Sequence, residues 1–158
     1  MKNNISEADW KVRVDLAAMF RLTNMMGWDD TVWNHITARA PGTEHTFFMH
    51  EMGLLYEEVK ASNLIKVDEN GKVLEGPEKA NTAGFIIHSA IHLNHPNAKF
   101  VFHAHPPSAL AATALKDGIP HLVQDSSMLY GKVGYHEWEG LSINKDERKN
   151  IAKNMGDN

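Results

Sequence analysis

The stretch VFHAHPP, Val101 to Pro107, sets two histidines either side of one alanine, at the end of an apolar run and before two prolines. Side chains on a strand alternate between faces, so His103 and His105 are expected to point one way and Phe102 and Ala104 the other. Two strand positions span roughly 6.5–7 Å of backbone. Imidazoles at that spacing can converge on one ion through bonds of about 2.0–2.1 Å. The same pair also suits two hydrogen-bonded residues on a half-exposed strand. Two ligands do not complete a zinc site, so a third would have to come from elsewhere.

Two further groups of residues invite chemistry. In HSAIHLNH, the residues His88, His92 and His95 fall at helical spacings of four and three, so one helix face carries all three. No glutamate follows the first histidine, as the zinc-protease helix motif requires. The expectation is a polar outer face, with His88 as the one that could turn towards the strand. Near Gly27, Thr31 and Asn34 offer a hydroxyl and an amide beside turn backbone, a combination able to hold an anion such as phosphate. Asp29 and Asp30 would oppose an anion if they pointed inward. No serine–histidine–aspartate array, P-loop or dinucleotide fingerprint is present.

The elements that would hold these residues can be read in order. Ser6 lies three residues before Asp9 and opens a helix. Trp10, Val14 and Ala17 would share its inner face, widened by Leu16, Met19 and Phe20. The helix should fade between Asn24 and Gly27. Ile36 and Ala38 alternate with Thr37 and Arg39 in a first strand, and Thr46 to Met49 reads as a second. Asp68-Glu69-Asn70-Gly71, between apolar runs, predicts a hairpin. Ala83, Ile87, Ala90 and Ile91 predict a helix over about Thr82–Leu93, stopped by His95-Pro96. Lys99 to His105 is then a strand. The prolines after it open a third helix running to Leu115. Val133 to Tyr135 reads as another short strand. A last helix spans about Lys145–Met155 and stops at Gly156. Hairpins mixed with helices, without strict βαβ alternation, imply a mainly antiparallel sheet with helices packed on it.

The 158 residues suit one domain, 1–158, with residues 1–5 expected to be flexible. A formal charge of −4 gives no basic face for nucleic acid. With no cysteine, disulfides, thiolate zinc sites and thiol catalysis are excluded. No apolar run approaches the ~18 residues of a membrane span, and the N-terminus lacks a signal-peptide core. The expectation is a cytoplasmic protein with no membrane partner.

WNHITAR, HEMGLLYEEVKASNLIKVDENGKVLEG, NTAGFIIHSAIHLNHPNAKFVFHAHPP and GYHEWEGLSIN together resemble the class II aldolase/adducin family. Within that family the sequence looks closer to the adducin head and its bacterial relatives than to sugar-phosphate aldolases. The resemblance implies a three-layer α/β/α domain around a central, mainly antiparallel sheet. It also implies a homo-oligomer, usually a tetramer. The cofactor implied is a divalent metal, zinc, held by residues matching His103 and His105 plus a later third histidine. The ion would act as a Lewis acid on a small hydroxy-carbonyl or keto-acid substrate. Thr31, Asn34 and Gly53 match the family's phosphate-binding positions. The family's catalytic glutamate falls on Gly84, which can neither ligate a metal nor move a proton. The third histidine belongs to a strand beyond Asn158, so the C-terminal part of the family domain is expected to be missing and the site impaired. Two functions follow from the resemblance: a metal-dependent carbon–carbon lyase, or a non-catalytic adducin-like oligomerising scaffold.

Overall fold

A computed structural model describes residues 5–43, 45–140 and 147–156. The first helix, α1 (Glu7–Met25), starts where Ser6 predicts, its hydroxyl accepting a hydrogen bond from the Asp9 amide at 3.0 Å. Its buried stripe is Arg13, Leu16, Ala17, Phe20 and Thr23. The expected inner positions Trp10 and Val14 are instead 43% and 44% exposed. The stripe is rotated because Arg13 goes in. Its guanidinium donates to the Leu64 carbonyl and to Glu75, both at 2.7 Å, and lies 4.4 Å over the Phe48 ring. Those partners offset the cost of burying the charge, although Arg13 Nε itself has none, so the helix can turn an arginine inward.

Five strands form one sheet: β1 (His35–Arg39), β2 (Thr46–Met49), β3 (Ile65–Asp68), β4 (Val73–Glu75) and β5 (Phe100–His103). Their order is β4-β3-β2-β1-β5, and every neighbouring pair is antiparallel. The predicted hairpin joins β3 to β4. Asp68 Oδ1 accepts from the amides of Asn70 and Lys72, and Gly71 takes the left-handed conformation at φ 85°.

Strand alternation divides the core in two. Ile36, Ala38 and Phe48 face α1 and pack with Leu16, Phe20, Tyr56, Val59 and Leu64. Phe47, Met49, Ile65 and Val67 face the other way, onto Phe85 and Ile86 of α2 (Thr82–Asn94). The helix α5 (Glu147–Met155) packs on α2. The architecture is therefore helix, antiparallel sheet, helix, as the resemblance implies.

Three expectations change. β5 ends at His103, because β1 begins at His35, its register partner, and offers nothing further to pair with. The chain then leaves the sheet: the His105 amide bonds the Trp28 carbonyl at 3.3 Å, and Pro106 has no amide to donate. The third helix, α3, spans Pro107–Thr113 and stops short of Leu115. Among the described residues Val133 to Tyr135 pairs with no strand; a short helix, α4 (Gln124–Ser127), precedes it. The expected first turn of the last helix at Lys145, and the end of GYHEWEGLSIN, lie outside the described residues. No helix among those described is long and apolar enough to cross a membrane.

Candidate metal centre

The antiparallel order brings four chain segments to one end of the sheet. They are the loop entering β1 with Thr31 and Asn34, the turn after β2 with Gly53, the exit from β5 with His103 and His105, and the start of α2 with Gly84. Two bonds tie these loops together. The Asn81 side chain donates to the Val32 carbonyl at 3.5 Å, and the Met52 amide donates to the Lys79 carbonyl at 2.8 Å.

His103 and His105 meet although they do not share a strand. Their Nε2 atoms are 2.9 Å apart, with the rings edge to face. His105 is oriented by Asp30, whose Oδ2 accepts from Nδ1 at 3.0 Å. That bond spends the single proton of a neutral His105 ring, so its Nε2 offers a lone pair, and His103 Nε2–H donates to it. Two bonds of ~2.0–2.1 Å to one ion allow donor atoms up to ~4 Å apart, so the observed separation fits a shared cation. A carboxylate holding the far nitrogen of a ligand histidine is the usual support of such sites. Burial, and then the neighbouring His105, lower the His103 pKa to about 4, so its ring is neutral and able to ligate near pH 7. Among the described residues no group of three histidine or acidic side chains is gathered around one point.

The helix histidines lie inward, contrary to the expected polar outer face. His88 and His92 are each 1% exposed and face the sheet. His88 Nε2 is 2.8 Å from His35 Nδ1, and His88 Nδ1 is 2.8 Å from Thr37 Oγ1. Thr37 Oγ1 also lies 2.9 Å from His92 Nε2, and His92 Nδ1 donates to the Ala98 carbonyl at 3.0 Å. His35 stacks on His103, with centroids 4.7 Å apart and planes 14° apart. Burial first, then the neighbouring histidines, drive the His35 pKa to about 3 and His88 well below the ordinary value. Burial likewise takes His92 to about 4.

Gly84 proves to be a contact rather than a gap. A Cβ built there would sit 2.6 Å from His35 Cγ. The imidazole of His35 occupies the space a side chain at 84 would need. Asn34 is fully buried, and neither polar atom of its amide has a hydrogen-bond partner. An amide left open in this way suits a polar ligand or a buried water. Thr31 is exposed at φ 47°, and Gly53 is exposed at φ 97° with open space around its Cα. The three expected ligand-binding residues thus share one sheet end, with Asn34 alone carrying an unmet polar demand.

Sequence reading missed Asp30 as a support of His105 and His35 as part of this cluster. A signal for His35 existed. In HITAR the residues His35 and Thr37 share one strand face, and that polar face needs a polar partner such as the His88–His92 helix face. Nothing local could have paired Asp30 with His105.

A model described as the Class II Aldolase and Adducin N-terminal domain matches residues 14–158. The chain belongs to the class II aldolase and adducin family. It is 42% identical over 157 residues to a putative aldolase class 2 protein of Caulobacter vibrioides, covering 99% of this chain and 61% of that protein. It is 37% identical over 148 residues to alpha-adducin of Rattus norvegicus, covering 92% of this chain and 20% of that one. Among solved structures, L-fuculose 1-phosphate aldolase from Glaciozyma antarctica PI12 superposes with a TM-score of 0.82 at 30% identity. That comparison covers 99% of this chain and 61% of the other. The chain therefore spans about three fifths of the length of its aldolase-type relatives. Class II aldolases are in general divalent-metal dependent, and the convergent histidine pair lies where this aldolase-type domain joins β5 to the following helix.

Proposed function

We infer that this aldolase-family chain supplies the metal-binding part of a lyase acting on a small carbonyl compound, with zinc as the ion. The observation carrying this reading is the His103–His105 pair, Nε2 to Nε2 at 2.9 Å, with His105 held by Asp30. When bound, the ion supplies Lewis-acid polarisation of a substrate carbonyl. His103 and His105 hold it, and Asp30 fixes the ring of His105. Asn34 offers its open amide to the polar end of the substrate, with the turn backbone at Thr31 and Gly53 beside it. The neutral rings of His35 and His88 line the inner wall.

Self-association is part of the proposal. The segment 119–140 exposes large apolar side chains, among them Leu122 at 85% and Trp138 at 82%. Surface of that kind suits contact with another subunit. The compartment proposed is the cytoplasm, in keeping with the cysteine-free sequence. A second reading is an adducin-like oligomerising scaffold. It is favoured by Gly84, where His35 fills the space a catalytic carboxylate would take.

Elemental analysis of the purified chain beside its intact mass tests the choice. The expected result is zinc or a similar ion at up to one per chain, lost in His103→Ala and His105→Ala. Metal retained by the double variant would overturn the assignment. A chain that takes up no ion at micromolar zinc would favour the scaffold.

A further inference from the structure

The four bonds that run inward from His35 have a direction that can be worked out. The Ala98 carbonyl can only accept, so His92 Nδ1 carries the proton of that ring, and Nε2 of the neutral ring has a lone pair. Thr37 must then donate its one hydroxyl proton to His92 Nε2. With that proton used, Thr37 Oγ1 can only accept from His88, so His88 carries its proton on Nδ1. His88 Nε2 is left as an acceptor, and His35 Nδ1–H donates to it. His35 Nε2 is therefore left unprotonated. Each step is forced by the one before, starting from a backbone oxygen that cannot reverse.

The two nitrogens of an imidazole flank one carbon, Cε1, and bond in widely diverging directions. Nδ1 of His35 turns to His88, one helical turn deeper along α2 than Gly84, against which the ring packs. Nε2 accordingly points away from His88, on a ring that stacks on His103 at the exit of β5. The buried rings cannot reorganise cheaply, because any reversed link would leave two protons or two lone pairs facing each other.

We propose that His35 is a specificity residue of this site: its Nε2, fixed as an acceptor by the His88–Thr37–His92–Ala98 chain, takes a hydrogen bond from a substrate hydroxyl. Thr37, His88 and His92 are positioning residues that act through it. A site built around a buried acceptor favours a ligand that brings a hydroxyl over one that brings only acceptor oxygens, because the second leaves the acceptor unpaired. The inference narrows the proposed substrate class to hydroxylated carbonyl compounds, and it rests on placing the ligand at this sheet end.

Long-range 1H–15N correlation on histidine-labelled protein near pH 7.5 tests the chain with no ligand or metal present. His35, His88 and His92 should each show a protonated Nδ1 and an unprotonated Nε2. Thr37→Val should release His35 and His88 from that tautomer while His92 keeps it, and Thr37→Ser should restore all three. A protonated Nε2 on His35 in the unmutated chain would overturn the proposal, whatever the metal content. Dihydroxyacetone and pyruvate then serve as ligand probes. Dihydroxyacetone should move the His35 Nε2 resonance, pyruvate should not, and Thr37→Val should weaken the dihydroxyacetone response by about 5–10-fold, the size expected of one lost hydrogen bond. No response to dihydroxyacetone, or an equal response to pyruvate, would sink the specificity role. Loss of the metal-site reading shows separately, as absent zinc with the tautomers intact.

Discussion

Asp30 and His105 form an ion-pair geometry on a half-exposed carboxylate, with side-chain exposure of 50% and 26%. Such a pair adds little to folding, about 0–1 kcal/mol. Its worth lies in aiming Nε2 of His105. Asp30→Asn should therefore weaken zinc binding by about 10–100-fold while leaving the urea midpoint almost unchanged. Competition with a colorimetric chelator reads the first and circular dichroism the second. Equal zinc affinity would show that Asp30 orients nothing. Gly84 makes the opposite kind of demand. Its Cβ would meet an imidazole already held by His88 on one edge and stacked on His103, so the ring has little room to yield. Gly84→Ala should cost about 1–3 kcal/mol, the range of an overpacked core. In a His35→Ala background the same change should cost much less, and a double-mutant cycle measures the difference. A Gly84→Glu variant, by this geometry, cannot recreate an aldolase carboxylate unless His35 moves as well.

At the level of elements, α1 shows how one buried arginine re-aims a helix. Hydrophobic periodicity favours Trp10 and Val14 as inner positions, whereas Arg13 anchors the helix through Leu64 and Glu75. Leu16→Ala should cost about 2–5 kcal/mol as a core cavity, and Val14→Ala should stay within about 0.5 kcal/mol. Equal losses in urea unfolding would contradict this orientation. β5 teaches a related lesson. Its end is set by where β1 begins, so His105 is placed by a loop bond to Trp28 and by Asp30 rather than by strand alternation. The pair still converges, because leaving the strand lets the ring of His105 fold back onto His103.

For the whole molecule, the buried histidines make stability depend on pH. His50 and His92 are held near about 4, each chiefly by burial, against about 6.5 in an unfolded chain. Below 6.5 the unfolded state binds protons that the folded state refuses. Stability is then full above pH 6.5 and falls as the pH drops towards 4. Each such ring contributes about 1.4 kcal/mol per pH unit across that window. Urea unfolding at pH 7.5, 6.5 and 5 should show a midpoint nearly steady in the first interval and falling through the second. A midpoint independent of pH from 7.5 to 5 would mean that these rings are not shielded as described. His50 also has a buried Nδ1 without a partner, beside the equally unpartnered Tyr56 hydroxyl.

Much of this protein is local and was legible without coordinates. The Ser6 cap, the Asn70-Gly71 turn, the stop at His95-Pro96 and the alternation in HITAR each depend on residues a few positions apart. The histidine pair of VFHAHPP was legible for the same reason, and family resemblance made it a metal-site candidate. Tertiary structure alone decided what surrounds that pair. The antiparallel join of β1 to β5 sets His35 beside His103. The packing of α2 sets His88 against His35 and closes the space over Gly84. The loop before β1 brings Asp30 to His105. These are contacts between residues far apart in the chain, chosen by strand register and by the need of buried polar groups for partners, and neither spacing nor composition encodes them.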